Sequence, residues 1–199
     1  MSNIQSNPEQ PTHALFQIRW SPRAFDASKD VSAEHLVSCL EAARWAPSCF
    51  GDQPWRFVVC HRSVDEVAWQ RLLACLTPKN QEWAKNAPVL MMICANTVFA
   101  HNQAPNRWAE YDAGQAAVSF CLQATALGLV THQMGGFDAD KVHADLGVPE
   151  NVTPMAALAL GYQGDAESLD DGFKAIEQAP RARKPLAEIA FMGQWVAAD

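Results

Sequence analysis

The stretch EAARWAPSCFGDQPWRFVV, residues 41–59, decides how this chain is read. It begins as the last turns of a helix and stops at Ala46-Pro47, because a proline pushes the residue before it out of the helical region. Ser48, Cys49, Gly51 and Asp52 then make a turn of small residues, where backbone can approach a bound molecule closely. A second proline follows, which predicts an extended Gln53. Trp55, Phe57, Val58 and Val59 read as a buried strand. A connection confined between two prolines is either a well-made loop or one wall of a site.

Upstream, Ser32 is an N-cap and Glu34 lies in the first turn of a helix. Its apolar residues Leu36, Val37, Leu40, Ala43 and Trp45 repeat at helical spacing to the Pro47 stop. Downstream, residues 64–76 have the spacing of an amphipathic helix that Thr77-Pro78 breaks, and residues 81–86 form a short helix ended at Ala87-Pro88. Residues 89–95 (VLMMICA) are a continuous apolar run of strand length, predicted to be central and buried on both faces. Residues 96–106 read as a loop or lid. The strongest helix covers 109–128 and is apolar on more than one side, as expected in a large core or against a second subunit. Residues 129–134 are a strand entering Gly135-Gly136, Asp138 caps a helix to Leu146 that Gly147 stops, and residues 155–162 are a third strand. Residues 164–172 read as a polar acidic connection and residues 186–195 as a terminal strand.

The 199 residues fit one domain with a real core, residues 13–199, after a loose tail at 1–12. Lys and Arg number 15 against 22 Asp and Glu, a net charge of -7, which argues against a nucleic acid or an anionic membrane as partner. Six cysteines without a C-x-x-C pair, several inside apolar runs, read as reduced thiols in a cytoplasmic protein. The histidines lack metal-ligand spacing, so no metal is expected. The N-terminus lacks the apolar segment of a signal peptide. The uncharged run 113–134 is interrupted by Gln115, Ser119, Gln123 and Thr125, and reads as a buried helix rather than a membrane span.

In so acidic a chain, two arginine pairs stand out: Arg19 with Arg23, and Arg181 with Arg183. The guanidinium fork matches phosphate oxygens, so the pairs make a phosphate site if they converge and solvated surface if they do not. Met134-Gly135-Gly136 follows a strand, and two glycines there either expose backbone N–H groups to a planar ligand or make a plain turn. No dinucleotide or P-loop fingerprint occurs. Cys49 with His132 or His61 as base has no supporting signature. Glu110 and Asp112 fit dipole-favoured positions at the head of the long helix. No side chain is therefore assigned a catalytic role, and an enzyme would need a cofactor to carry its chemistry.

These residues resemble the nitroreductase family of FMN-dependent oxidoreductases over about 18–195, in the family's order. IRWSPRAF resembles the opening R-x-S-x-R motif, giving Arg19, Ser21 and Arg23 with Trp20 between them. The 41–59 stretch resembles A-P-S-x-x-N-x-Q-P-W, LTPKNQEWAKNAPVLMMIC the segment whose Asn, here Asn80, approaches the flavin, and GLVTHQMGGFD the loop facing the flavin ring. PRARKPLAEIAF resembles the C-terminal motif whose two basic residues, here Arg181 and Arg183, bind the phosphate.

The resemblance implies an α+β fold with a central, mostly antiparallel sheet flanked by helices, in an intertwined homodimer with FMN sites at the interface. It implies that Pro47, Ser48, Cys49 and Gly51 reach the flavin of the other subunit, and that Met134, Gly135 and Gly136 face the ring, with the Gly135 N–H toward flavin N5. It also implies hydride transfer from NADH or NADPH to a nitroaromatic or quinone. A flavin-binding protein of the same fold that stores flavin or modifies another small molecule is the alternative. Two departures bear on substrate: Gly51 stands where the family usually has Asn, and Trp83 where some members place a Lys near the flavin pyrimidine.

Overall fold

A computed structural model describes residues 12–195. The tail expected at 1–12 lies, except for Thr12, outside the described residues. Four strands form one antiparallel sheet: β1 (Trp55–His61), β2 (Val89–Asn96), β3 (Val130–Met134) and β4 (Val152–Gly161), in the order β1-β2-β4-β3. Pairing runs from Trp55 opposite Ala95 to His61 opposite Val89, and a bulge at Ile93/Cys94 interrupts the β2–β4 register.

The apolar run at 89–95 behaves as its composition requires. Alternate side chains of a strand point to opposite faces, so Leu90, Met92 and Cys94 enter one core while Val89, Met91, Ile93 and Ala95 enter the other. The first core lies under α3 (Glu66–Cys75), α4 (Pro78–Ala84) and α6 (Ala139–Leu146), with Trp69, Leu72, Cys75, Trp83 and Val142. The second lies under α2 (Ala33–Arg44) and α5 (Ala109–Ala126), with Cys39, Ala43, Ala113, Ala116, Phe120 and Ala124. This is an α+β protein with helices on both faces of the sheet. No helix among the described residues is long and apolar enough to cross a membrane.

Helix ends follow their capping residues. Ser32 accepts from the His35 N–H, Asp65 from Ala68 and Asp138 from Lys141, while Gly128 and Gly147 take left-handed φ values of 74° and 67° just past α5 and α6.

Several expectations need correction. Gln53 is not extended: its φ is 49°, because its N–H turns back to donate to Ser48 Oγ at 3.0 Å. The helix expected from 64 starts at Glu66, since the Asp65 cap outweighs the apolar pattern, and Val64 and Val67 are exposed. Pro78 opens α4 rather than merely breaking the preceding helix, as suits a residue with no N–H to satisfy. Residues 14–18 form a short helix, α1 (Ala14–Ile18), and the acidic connection leads into α7 (Asp171–Gln178), neither of which was expected. Residues 186–195 hold a 3₁₀ turn at Leu186–Glu188 and no strand.

Candidate functional site

The proposed residues fall into three groups. The first is the arginine segment after α1. Arg181 donates to the carbonyls of Arg19 (3.0 Å) and Gln17 (2.6 Å), which satisfies the carbonyl end of α1 and brings the C-terminal basic stretch to the N-terminal one. Arg183 joins Phe16, Gln17 and Arg181 around one cleft. The two arginine pairs are thus tied together, and none of the four makes an ion pair among the described residues. In a chain of net charge -7, cations left without a carboxylate partner mark a place for an anion.

This segment lies beside β3, an edge strand. The Nδ1–H of His132 donates to the carbonyl of Pro22 at 2.9 Å, since a carbonyl can only accept. Burial holds the His132 imidazole below its ordinary pKa of 6.5, the Pro22 carbonyl opposes that shift, and the Arg23 charge adds to it. His132 is a packing residue, lying 4.5 Å from the Trp83 ring. Trp83 is itself buried, stacked at 6.1 Å on Phe25, so it serves the core and does not stand at an open face. Burial pushes the Cys121 thiol up; hydrogen bonds from Thr131 and Gln133 and the charge of Arg19 draw it back. Ser21 is exposed and Trp20 half-buried.

The second group sits where β3 ends. Asn80 Nδ2 donates to the Gly136 carbonyl at 3.0 Å, and the Thr77 N–H donates to the same oxygen. A Cβ on Gly136 would lie 2.7 Å from Asn80 Nδ2, so the close approach demands glycine there, whereas the space a Cβ would take at Gly135 is open. The Asn80 amide oxygen is left to accept from a ligand. The Met134 side chain is buried in the core, so this residue can offer only its main chain.

The third group is the loop at 47–53. Phe50, Gly51 and Gln53 all have positive φ, at 56°, 66° and 49°. Two carboxylates read from sequence only as a turn residue and a helix-dipole residue, Asp52 and Asp112, hold this strained turn. Asp112, 3% exposed at the head of α5, accepts from the Cys49 N–H at 2.9 Å. Asp52 accepts from the Ala100 N–H at 2.9 Å and ties the turn to the 96–106 loop. Neither histidine is free to activate Cys49: His61 is bound to Val31, Asp30 and Ser63, and His132 to Pro22.

Missed as well was the contribution of α7, whose Glu177 accepts from the N–H groups of Arg23 and Ala24. The spacing of Phe173, Ile176 and Glu177 behind the Asp170 cap is the signal that could have found it.

Fold and site together define an α+β protein whose edge strand carries an arginine segment with no ion pair among the described residues, an arrangement suited to a phosphate-bearing ligand. Residues 17–162 match the model of the nitroreductase family, and the chain belongs to that family. A solved structure described as an oxidoreductase containing FMN is 37% identical, with both chains covered over 100% of their length and a TM-score of 0.89. An uncharacterized 15.4 kDa protein of Mycolicibacterium smegmatis is 35% identical over 62% of this chain and 82% of its own. A Polynucleobacter asymbioticus protein provisionally named an NADH dehydrogenase/NAD(P)H nitroreductase is 31% identical over 78% of this chain and 88% of its own.

Proposed function

We propose that this protein is an FMN-dependent oxidoreductase that passes electrons from NADH or NADPH to an oxidised small molecule such as a nitroaromatic or quinone. The observation that carries the reading is four arginines without an acidic ion-pair partner among the described residues, on segments that Arg181 ties together and His132 joins to the strand ending at the open Gly135. A flavin mononucleotide fits that donor set: its phosphate matches the guanidinium forks and its flat ring matches a glycine with no side chain in the way. When bound, FMN supplies reversible two-electron chemistry by accepting a hydride from the nicotinamide and giving it up to the acceptor.

The chain's own part is to bind, orient and shield. Arg19, Arg181 and Arg183, with Ser21, hold the phosphate, and Arg23 adds its charge. Gly135 and Gly136 offer main-chain groups to the ring, where fixed N–H dipoles stabilise negative charge as it develops. Asn80, pinned by the Gly136 carbonyl, presents its amide oxygen to the ring's edge. Pro47, Ser48, Cys49 and Gly51 cover the cofactor held by a second copy. The exposed apolar side chains Val37, Trp45, Tyr111 and Val118 on and beside α2 and α5 support such a homodimer.

The decisive measurement is the visible spectrum of the purified protein with FMN added, followed by addition of each nicotinamide nucleotide. Bound yellow flavin that bleaches with NADH or NADPH and recovers with a quinone is the expected result. A protein that binds no FMN would end this reading, and one that binds FMN without bleaching would be a flavin carrier instead.

A further inference from the structure

Arg23 is held at both ends by one short helix that lies outside the matched family segment 17–162. Phe173 and Glu177 stand four residues apart on α7 and so share a face. The Arg23 guanidinium lies 5.6 Å from the centre of the Phe173 ring, within range of a cation–π contact. Its main-chain N–H donates to both carboxylate oxygens of Glu177, at 2.8 and 3.1 Å, and the Ala24 N–H donates at 3.1 Å.

A carboxylate beside a site for an anion is at first sight a contradiction, since like charges repel. The geometry resolves it. Glu177 is 8% exposed, its oxygens face main-chain N–H groups and the Gln163 amide, and it makes no ion pair with an arginine among the described residues. Its oxygens are taken up by main-chain N–H groups, and it makes no direct ion pair with the Arg23 guanidinium. Opposite it, His132 takes the Pro22 carbonyl. Residues 22–24 are thereby fixed through their main chain by β3 on one side and α7 on the other. The Arg23 guanidinium lies over the Phe173 ring, which Lys79 Nζ also approaches at 5.7 Å.

We infer that Glu177 and Phe173 are positioning residues for the phosphate grip: α7 sets the arginine segment in the conformation that receives the phosphate of the bound nucleotide. The inference rests on the FMN reading above, and its ligand dependence separates it from a purely structural role. A helix that only stabilises the fold affects every ligand alike, whereas one that aims arginines affects only a ligand with a phosphate.

The test compares binding of FMN and of riboflavin, which lacks the phosphate, by titrating flavin fluorescence with the full-length protein. Wild type is measured beside Glu177→Ala, Glu177→Gln, Phe173→Leu and Arg181→Ala. Glu177→Ala is expected to weaken FMN about tenfold while riboflavin changes by less than about twofold, with Glu177→Gln between it and wild type because one acceptor oxygen remains. Equal losses for both flavins, or no loss for either, would overturn the proposal. Should Glu177→Ala fail to fold, Phe173→Leu carries the same comparison, with a loss of FMN alone expected and an equal loss for both flavins refuting it. Arg181→Ala separates the two levels. If it spares FMN binding, the phosphate reading falls and this proposal with it. If it weakens FMN alone while the α7 variants are indifferent, only the role of α7 is refuted.

Discussion

Asp112 holds the strained turn before β1 through one oxygen, and accepts from Gln115 with the other. Asp112→Ala leaves the Cys49 N–H without its acceptor, and is expected to cost about 1–3 kcal/mol in chemical denaturation, with Asp112→Asn costing less. Cysteine chemistry at this scale is governed by burial. Burial raises the Cys39 thiol to about 12 and those of Cys60 and Cys94 to about 11, with minor help from Cys121 at Cys39 and from Asp65 and Cys75 at Cys60. These three are expected to resist a thiol reagent at pH 8 until the protein unfolds, which mass spectrometry of pulse-labelled protein would check. His132 gives a pH dependence of the same sense as a paired carboxylate, at a higher pH. Its folded pKa lies below the unfolded 6.5, so the unfolded chain binds the extra proton first. Its contribution to stability is complete above pH 6.5 and is lost as pH falls through the lowered value. Thermal melts from pH 7.5 down to 5 should show this loss, and His132→Gln should flatten it.

Among the elements, the turn after β3 pairs two glycines with opposite needs. Gly136→Ala forces a methyl against Asn80 and Thr77 and is expected to destabilise by about 1–3 kcal/mol, because packed neighbours must shift. Gly135→Ala meets open space, so its melting temperature should hold while flavin binding falls; a drop in melting temperature equal to that of Gly136→Ala would contradict the assignment. What the sequence could reveal about elements depended on how many residues agreed. β2 was legible because an unbroken apolar run needs cover on both faces, and α5 because its small and apolar residues recur on two sides. The caps at Ser32 and Asp138 were equally plain. Gln53 was not, since a side-chain oxygen five residues back overrides a preference set by the next proline. Nor was α7, because its apolar face is only Phe173 and Ile176 in a run of charges. At the candidate site, the arginine pairs and the Gly135-Gly136 turn stand out by residue type alone. The carboxylates Asp52, Asp112 and Glu177 do not, because each acts on the main chain of a residue at least 48 positions away.

For the whole molecule, the exposed apolar surface sets the expectation. Trp45, Phe50 and Trp195 are 75%, 84% and 82% exposed, apolar surface that a second copy would cover. Light scattering on the eluted protein should give twice the 21.8 kDa of one chain, and Val118→Asp on α5 should shift it toward one. The arginine segment also has a consequence for biosynthesis. Its backbone is held by groups 154 and 162 positions later in the chain, at Glu177 and Arg181. Contacts between such distant positions form late, after the costly loop between them has closed. A nascent chain can therefore lay down its sheet on the ribosome while its ligand grip stays unassembled. A phosphate-bearing cofactor held as proposed would then be gripped only once Glu177 and Arg181 have joined the segment.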